Sequence, residues 1–294
     1  MPVGTAYLAT IFIWSTTALG IRWSVDETGF LFGIASRMVL ALVLTWLVCL
    51  VMRIRVGFDK LSLQTYFAAG FLQFVSMMLT YWGAQFIPSG LIAVLYGTGP
   101  IWTGLFASWW LSERFTRRKL IGLLMGVAGL VVIHHSSVLV SGQAWFAVMA
   151  VLVGAVTQAV STVWIKRIGA PIDPFATTAG LLTLVVPLYL IAWWLFGQGW
   201  PASLSPRTLL AIGYMSSVAS VIGFSLFFYL LKHLQAGKVA LIQLITPVTA
   251  MLLGQMLNHE PVDPVVWAGT GLILLGLAIH QYAGLRMGLN RMLS

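Results

Sequence analysis

Charge is scarce in this 294-residue sequence: only 8% of its residues are Asp, Glu, Lys or Arg, and the acidic ones number seven. A water-soluble domain must cover itself with polar surface, and a chain that is 60% hydrophobic with a mean hydropathy of +0.95 cannot do so. A bilayer removes that requirement, because lipid solvates the outside of a helical bundle. Cysteine is scarcer still. Cys49 stands alone in an apolar run, which excludes a disulfide framework and a thiolate metal site and leaves the redox compartment open. No Gly-Lys-Ser/Thr phosphate loop, His-Glu-x-x-His zinc motif or Gly-x-Ser-x-Gly elbow occurs, so no enzyme, cofactor or resident metal is expected. The acidic residues Asp26, Glu27, Asp59, Glu113, Asp173, Glu260 and Asp263 all fall at or near the ends of apolar runs. A proton-relay carboxylate at membrane depth is therefore missing. Proton coupling would have to use a membrane-end carboxylate, His280 or the substrate itself, and uncoupled or exchange transport stays open.

Ten apolar runs reach the roughly 20 residues needed to cross the hydrocarbon core. They are 3–22, 29–51, 62–86, 90–111, 118–137, 143–166, 174–196, 208–232, 238–257 and 264–284. Between them lie charge or turn residues such as Asp26 to Gly29, Pro88-Ser89-Gly90, Pro171 to Pro174 and Pro261 to Pro264. The first run has no basic residue ahead of it and no small-residue cleavage site after it, so it is expected to be a retained span. The net charge of +9 comes from short basic clusters between spans, not from a continuous basic face, which fits a membrane surface and not nucleic acid. Thirteen of the 16 basic residues fall on one side, the exceptions being Arg22, Arg37 and Arg207. By the positive-inside rule that side is cytoplasmic, and both termini with it.

The sequence repeats itself. Ser89-Gly90-Leu91-Ile92-Ala93, Pro100, Glu113, Gly122 and Gly129 return as Ala236-Gly237-Lys238-Val239-Ala240, Pro247, Glu260, Gly269 and Gly276. The differences 237 − 90, 247 − 100, 260 − 113 and 276 − 129 all equal 147. Two of the matches use scarce types, proline and glutamate, which argues against coincidence. The chain then reads as two units, 1–140 and 141–294, of five spans each. An odd number of spans starts the second unit from the opposite side, so the expected fold is all-α, ten transmembrane helices in two inverted five-helix repeats. Secondary transporters are commonly built this way.

Within the spans, amides, hydroxyls and aromatic rings that would be costly against lipid should turn inward. Trp14, Ser15, Gln73, Ser76, Tyr81, Tyr96, Trp102, Gln158, Trp164, Ser217 and Gln243 are the candidates for contact with a small-molecule substrate. Trp109, Trp110, Trp193, Trp194 and Trp200 lie nearer span ends and fit an interfacial belt. Pro100 and Pro247 each remove a helix bond near mid-span, which makes them hinges at a central site or passive kinks. Arg37 lies inside span two and either meets a substrate carboxylate or pairs structurally with a neighbouring helix. Glu113 and Glu260 sit where one helix ends and the next begins, as helix caps or as gating groups. Gly122, Gly126, Gly129, Gly269, Gly271 and Gly276 allow close helix contact within one protomer or across a homodimer.

Trp110-Leu111-Ser112-Glu113-Arg114 followed by Leu120 to Gly129, and Leu257-Asn258-His259-Glu260-Pro261 followed by Gly269 to Gly276, resemble the EamA-type ten-helix exporters of the drug/metabolite transporter superfamily. Trp14-Ser15 and Ser36-Arg37-Met38 extend that resemblance over nearly the whole chain. It implies a bacterial inner-membrane carrier exporting small metabolites, neutral or aromatic amino acids being the cargo of similar members. An exchanger or importer of a phosphorylated or nucleotide-linked solute, and a non-transporting scaffold, are the rival readings.

Overall fold

A computed structural model of the chain describes residues 2–111, 117–134, 142–197, 199–234, 239, 242–258 and 263–292, and it is all-helical, with no strand among them. Glu113 and Glu260 lie outside the described residues, as do the side chains of Gln243, Pro247 and His280. The helices are α1 (Val3–Val25), α2 (Phe30–Val51), α3 (Lys60–Gly83), α4 (Ser89–Tyr96), α5 (Gly99–Trp110), α6 (Arg117–His134) and α7 (Gly142–Ile168). There follow α8 (Pro174–Phe196), α9 (Pro206–Tyr214), a π-helical stretch (Met215–Ile222), α10 (Gly223–His233), α11 (Ile242–Asn258) and α12 (Pro264–Met292).

Polar residues between the apolar runs start the helices. The Asp59 carboxylate accepts from the amides of Leu61 and Ser62, Asp173 from Phe175 and Ala176, and Asp263 from Val265. Ser205 does the same for Thr208, and Pro174 and Pro206 occupy first helical positions where no amide is needed. Three of the scattered acids thus cap helix N-termini. Six segments are long and apolar enough to cross a membrane: α1, α2, Ser89–Trp110, α7, α8 and Pro206–His233. Helix α3 is long enough but more polar, and the reason is its position. It buries Ser62, Thr65, Gln73, Ser76 and Thr80 while exposing Phe67 and Phe71. The same inside-out pattern holds elsewhere, with Leu8, Phe12, Leu47, Phe146, Ile191 and Leu210 exposed, as lipid contact requires.

Two expected spans are interrupted. Span four breaks between α4 and α5 at Gly97-Thr98, because Pro100 has no amide to offer the carbonyl of Tyr96. Span eight changes winding through Met215–Ile222, where Ser220 Oγ donates to the Met215 carbonyl five residues back. Pro247, in contrast, lies within the continuous α11.

Helix pairing gives the bundle its order. Helix α7 packs on α3, α8 on α2 and α3, and α11 on α1 and α4. Helix α1 also packs on α9 and α10, α5 on α7, and α6 on α12. Helices α3 and α7 run antiparallel: Ser161 Oγ donates to Ala68 O, Gly154 lies against Ser76, and Gly83 against Ala147. The α6–α12 pair meets backbone to backbone through glycine. A Cβ on Gly129 would come 2.5 Å from Gly269 O, and one on Gly276 would come 2.6 Å from Gly122 O. The contact is reciprocal, since 269 − 122 and 276 − 129 are the same spacing.

Candidate functional site

A cavity of about 130 Å³ lies at the centre of the bundle. It has room for on the order of ten water-sized spheres. Its walls come from α1, α2, α3, α4, α7, α8, α10, α11 and the π-helical stretch. Among the predicted site residues it gathers Trp14, Gln73, Tyr96, Gln158 and Arg37. One side is aromatic: Trp14 packs on Phe227 at 5.5 Å between centroids, with Phe224 and Phe228 beside it.

Arg37 is 1% exposed and anchored on two sides. Its Nε donates to Ser220 Oγ at 2.9 Å and its Nη1 to the Tyr81 hydroxyl at 3.0 Å. A guanidinium carries five N–H donors. Among the described residues no carboxylate pairs with it, so donors remain for a ligand. Both readings of Arg37 therefore have a structural counterpart: it is tied to two helices and it lines the cavity.

The amides are the other polar feature. Gln73 is buried and makes no side-chain hydrogen bond to a described residue, and Gln158 Oε1 is buried without a partner among them. The buried Gln158 oxygen left unmet costs about 1–3 kcal/mol, which a bound solute recovers. The Tyr96 hydroxyl is already engaged, 2.8 Å from Ser76 Oγ and 2.6 Å from Thr80 Oγ1. Ser76 in turn donates to Gly154 O, locking α3, α4 and α7 together.

Ser15, Ser76, Tyr81, Trp102, Trp164 and Ser217 lie outside the cavity lining. Ser15 accepts from Thr249 Oγ1 and fastens α1 to α11, Trp102 Nε1 donates to Thr98 Oγ1, Trp164 packs edge-on against Phe67, and Ser217 donates to Gly213 O. Of the belt tryptophans, Trp109, Trp194 and Trp200 are exposed, and Trp193 packs between Phe32 and Trp200.

Sequence reasoning missed the hydroxyls of the lining: Thr17, Thr80, Ser161, Thr162 and Thr246. All but Ser161 donate to a carbonyl four residues back in their own helix, so their polarity is met locally and carries no signal. Spacing was the available signal. Trp14, Thr17, Ala18 and Ile21 face the cavity from α1, and Gln158, Ser161, Thr162 and Ile165 from α7. The differences 158 − 14, 161 − 17, 162 − 18 and 165 − 21 all equal 144, as does 181 − 37 for Leu181 and Arg37. Positions 144 residues apart thus face one cavity, with the cation at only one of them.

Known proteins resemble this chain in sequence and fold. An uncharacterized inner membrane transporter of Escherichia coli, YedA, is 28% identical over 202 residues, covering 69% of this chain and 65% of that protein. The chain thus spans slightly under two thirds of that relative. A Bacillus subtilis transporter, YoaV, is 24% identical over 94% of this chain and 95% of its own. An Escherichia coli protein named as a probable amino-acid metabolite efflux pump is 23% identical over 68% of this chain and 69% of its own. A solved crystal structure matches the fold with a TM-score of 0.70 at 18% identity, over 96% of this chain and 98% of that one. The model of the EamA-like transporter family matches twice, over residues 4–134 and 145–280. With both matches spanning most of its length, the chain belongs to the EamA-like transporter family.

Proposed function

We propose that this protein is a secondary transporter exporting small metabolites, neutral and aromatic amino acids among them, across the bacterial cytoplasmic membrane by alternating access. The observation that carries the reading is the central cavity, whose walls come from both halves of the chain, in part at positions 144 residues apart. Its chemistry suits an amphipathic solute: aromatic rings at Trp14, Phe224 and Phe227, the amides of Gln73 and Gln158, the latter with an unmet oxygen, and one guanidinium. Arg37 is the single cation among the described lining residues, which suits one carboxylate better than a phosphate dianion. The efflux pump among the relatives supports amino-acid cargo.

The same reading takes the chain as ten spans in two inverted five-helix halves, with both termini cytoplasmic. The reciprocal glycine contacts of α6 and α12, the antiparallel course of α3 and α7, and the 144-residue pairing of the lining support it. A pseudo-two-fold axis makes residue i meet j and the mate of i meet the mate of j, as in a symmetric dimer. The test is flux: proteoliposomes loaded with radiolabelled neutral or aromatic amino acids should release them with saturable kinetics. No saturable flux of any of them would overturn the proposal.

A further inference from the structure

Two cations sit just beyond the ends of the cavity lining. Arg22 follows Ile21 on α1, and Lys166 follows Ile165 on α7; 166 − 22 is the same 144 that pairs the lining positions. Each reaches a carbonyl just past another helix. Arg22 Nη1 donates to the carbonyl of Ala84, the residue after α3, and Lys166 Nζ donates at 2.8 Å to the carbonyl of Leu234, the residue after α10. Ala84 keeps helical geometry, so its carbonyl lies at the negative end of the α3 dipole, a favourable place for a cation, while Leu234 is extended and offers a carbonyl just past α10.

The helices so joined are otherwise apart. Helices α1 and α3 both line the cavity and scarcely touch, and α7 and α10 are not packed along their lengths. Arg22 thus bridges α1 to α3 where they converge at one end of the cavity, and Lys166 bridges α7 to α10 at the other. The ends are opposite because α7 runs antiparallel to α3, with Ser161 beside Ala68 and Ala147 beside Gly83. Arg22 is further held by Asp26, Nε to Oδ1 at 3.1 Å.

We infer that Arg22 and Lys166 are equivalent gate latches at the two mouths of the cavity, and that each transport cycle releases one while the other holds. The inference rests on the transport reading above. Both latches are formed here, one tie at each end of the cavity. Opening one side breaks one latch and leaves its mate in place, which is how two equivalent halves exchange roles. On the orientation given by the basic residues, Arg22 guards the outer mouth and Lys166 the cytoplasmic one.

The test uses the cavity residue Ala93 as a reporter. Ala93→Cys in a Cys49→Ser background is labelled with a membrane-impermeant maleimide in right-side-out and inside-out vesicles. Arg22→Gln is expected to raise labelling from the outer face several-fold and lower it from the cytoplasmic face, with Lys166→Gln doing the reverse. Arg22→Lys and Lys166→Arg should restore the parent pattern. If both directions come out exchanged, the latches stand and the orientation is reversed. Unchanged labelling, or shifts in the same direction, in variants that keep the parent melting temperature would overturn the inference, because fasteners without a gating role give no opposed response. Should a Gln variant unfold, Asp26→Asn weakens the Arg22 latch from its other partner and must move labelling as Arg22→Gln would. Labelling needs no flux, so failure of the latches is separable from failure of the transport reading.

Discussion

Arg37 is buried where desolvation is expensive, and it shares hydrogen bonds with two helices. Its partners Tyr81 and Ser220 come from α3 and the π-helical stretch, so the side chain works as a bracket as well as a wall of the cavity. A hydrogen bond to a charged group contributes about 1.5–3 kcal/mol. Tyr81→Phe and Ser220→Ala should each lower stability by about that amount, read as the unfolding midpoint in detergent. The double variant should cost more than the sum, because it strands a buried guanidinium with neither partner. An additive result would mean that Arg37 finds other partners. The sequence made Arg37 legible as a charge at depth but not its partners, since nothing in the order of residues joins positions 37, 81 and 220. Glu27 is one residue that should give the protein a pH dependence. Its carboxyl is held below the ordinary 4.5, first by the Ser205 amide and then by the Ser205 and Thr208 hydroxyls. A depressed carboxyl stabilises the fold above its unfolded pKa and loses that contribution as pH falls through the folded one. Below about pH 4.5 the tie from the α1–α2 turn to the start of α9 should therefore weaken. Glu27→Gln should flatten that acid limb of the midpoint-versus-pH curve; an unaltered limb would assign it to other groups.

At the scale of elements, proline and glycine were readable and helix winding was not. Pro100 announces the break between α4 and α5, because any proline leaves the carbonyl four residues back without its amide. That freed carbonyl belongs to Tyr96, a lining residue. Pro100→Ala supplies the missing donor and should fuse α4 and α5, raising the unfolding midpoint while slowing transport; equal transport rates would make the break a passive kink. The π-helical stretch left no mark in composition, since one extra residue per turn requires no particular side chain. Its consequence is visible only in three dimensions, where Ser220 meets Arg37. The glycines of α6 and α12 were legible as close-contact residues, but not as partners of each other. Gly129→Ala pushes a methyl against the Gly269 backbone, which cannot rotate away, so the helices must part. A loss of about 1–3 kcal/mol is expected, and the equivalent Gly276→Ala should match it. Gly271→Ala, with open space around it, should cost little and serves as the control.

Over the whole molecule, the repeat made two units legible because it lies in the order of residues, while the cavity was legible only in part because it depends on which helix faces meet. Trp14, Gln73, Tyr96 and Gln158 were recoverable as polar or aromatic residues within apolar runs. Thr17 and Thr162 were hidden by their local hydrogen bonds, and Phe224 and Phe227 looked like any lipid-facing ring. The proposed repeat also makes a claim that side-chain chemistry cannot: if each half has five spans, equivalent loops lie on opposite faces of the membrane. Arg55 and Ser203 are exposed, the first after α2 and the second after α8, the helix that corresponds to it in the other half. Odd-numbered crossings between them send them to different sides; an even count returns both to the same side. In a Cys49→Ser background, Arg55→Cys should react with an impermeant maleimide only from the cytoplasmic face and Ser203→Cys only from the outer face. Labelling of both from one face would remove the inverted arrangement, and with it the basis for treating Trp14 and Gln158, or Arg22 and Lys166, as equivalent positions working in turn.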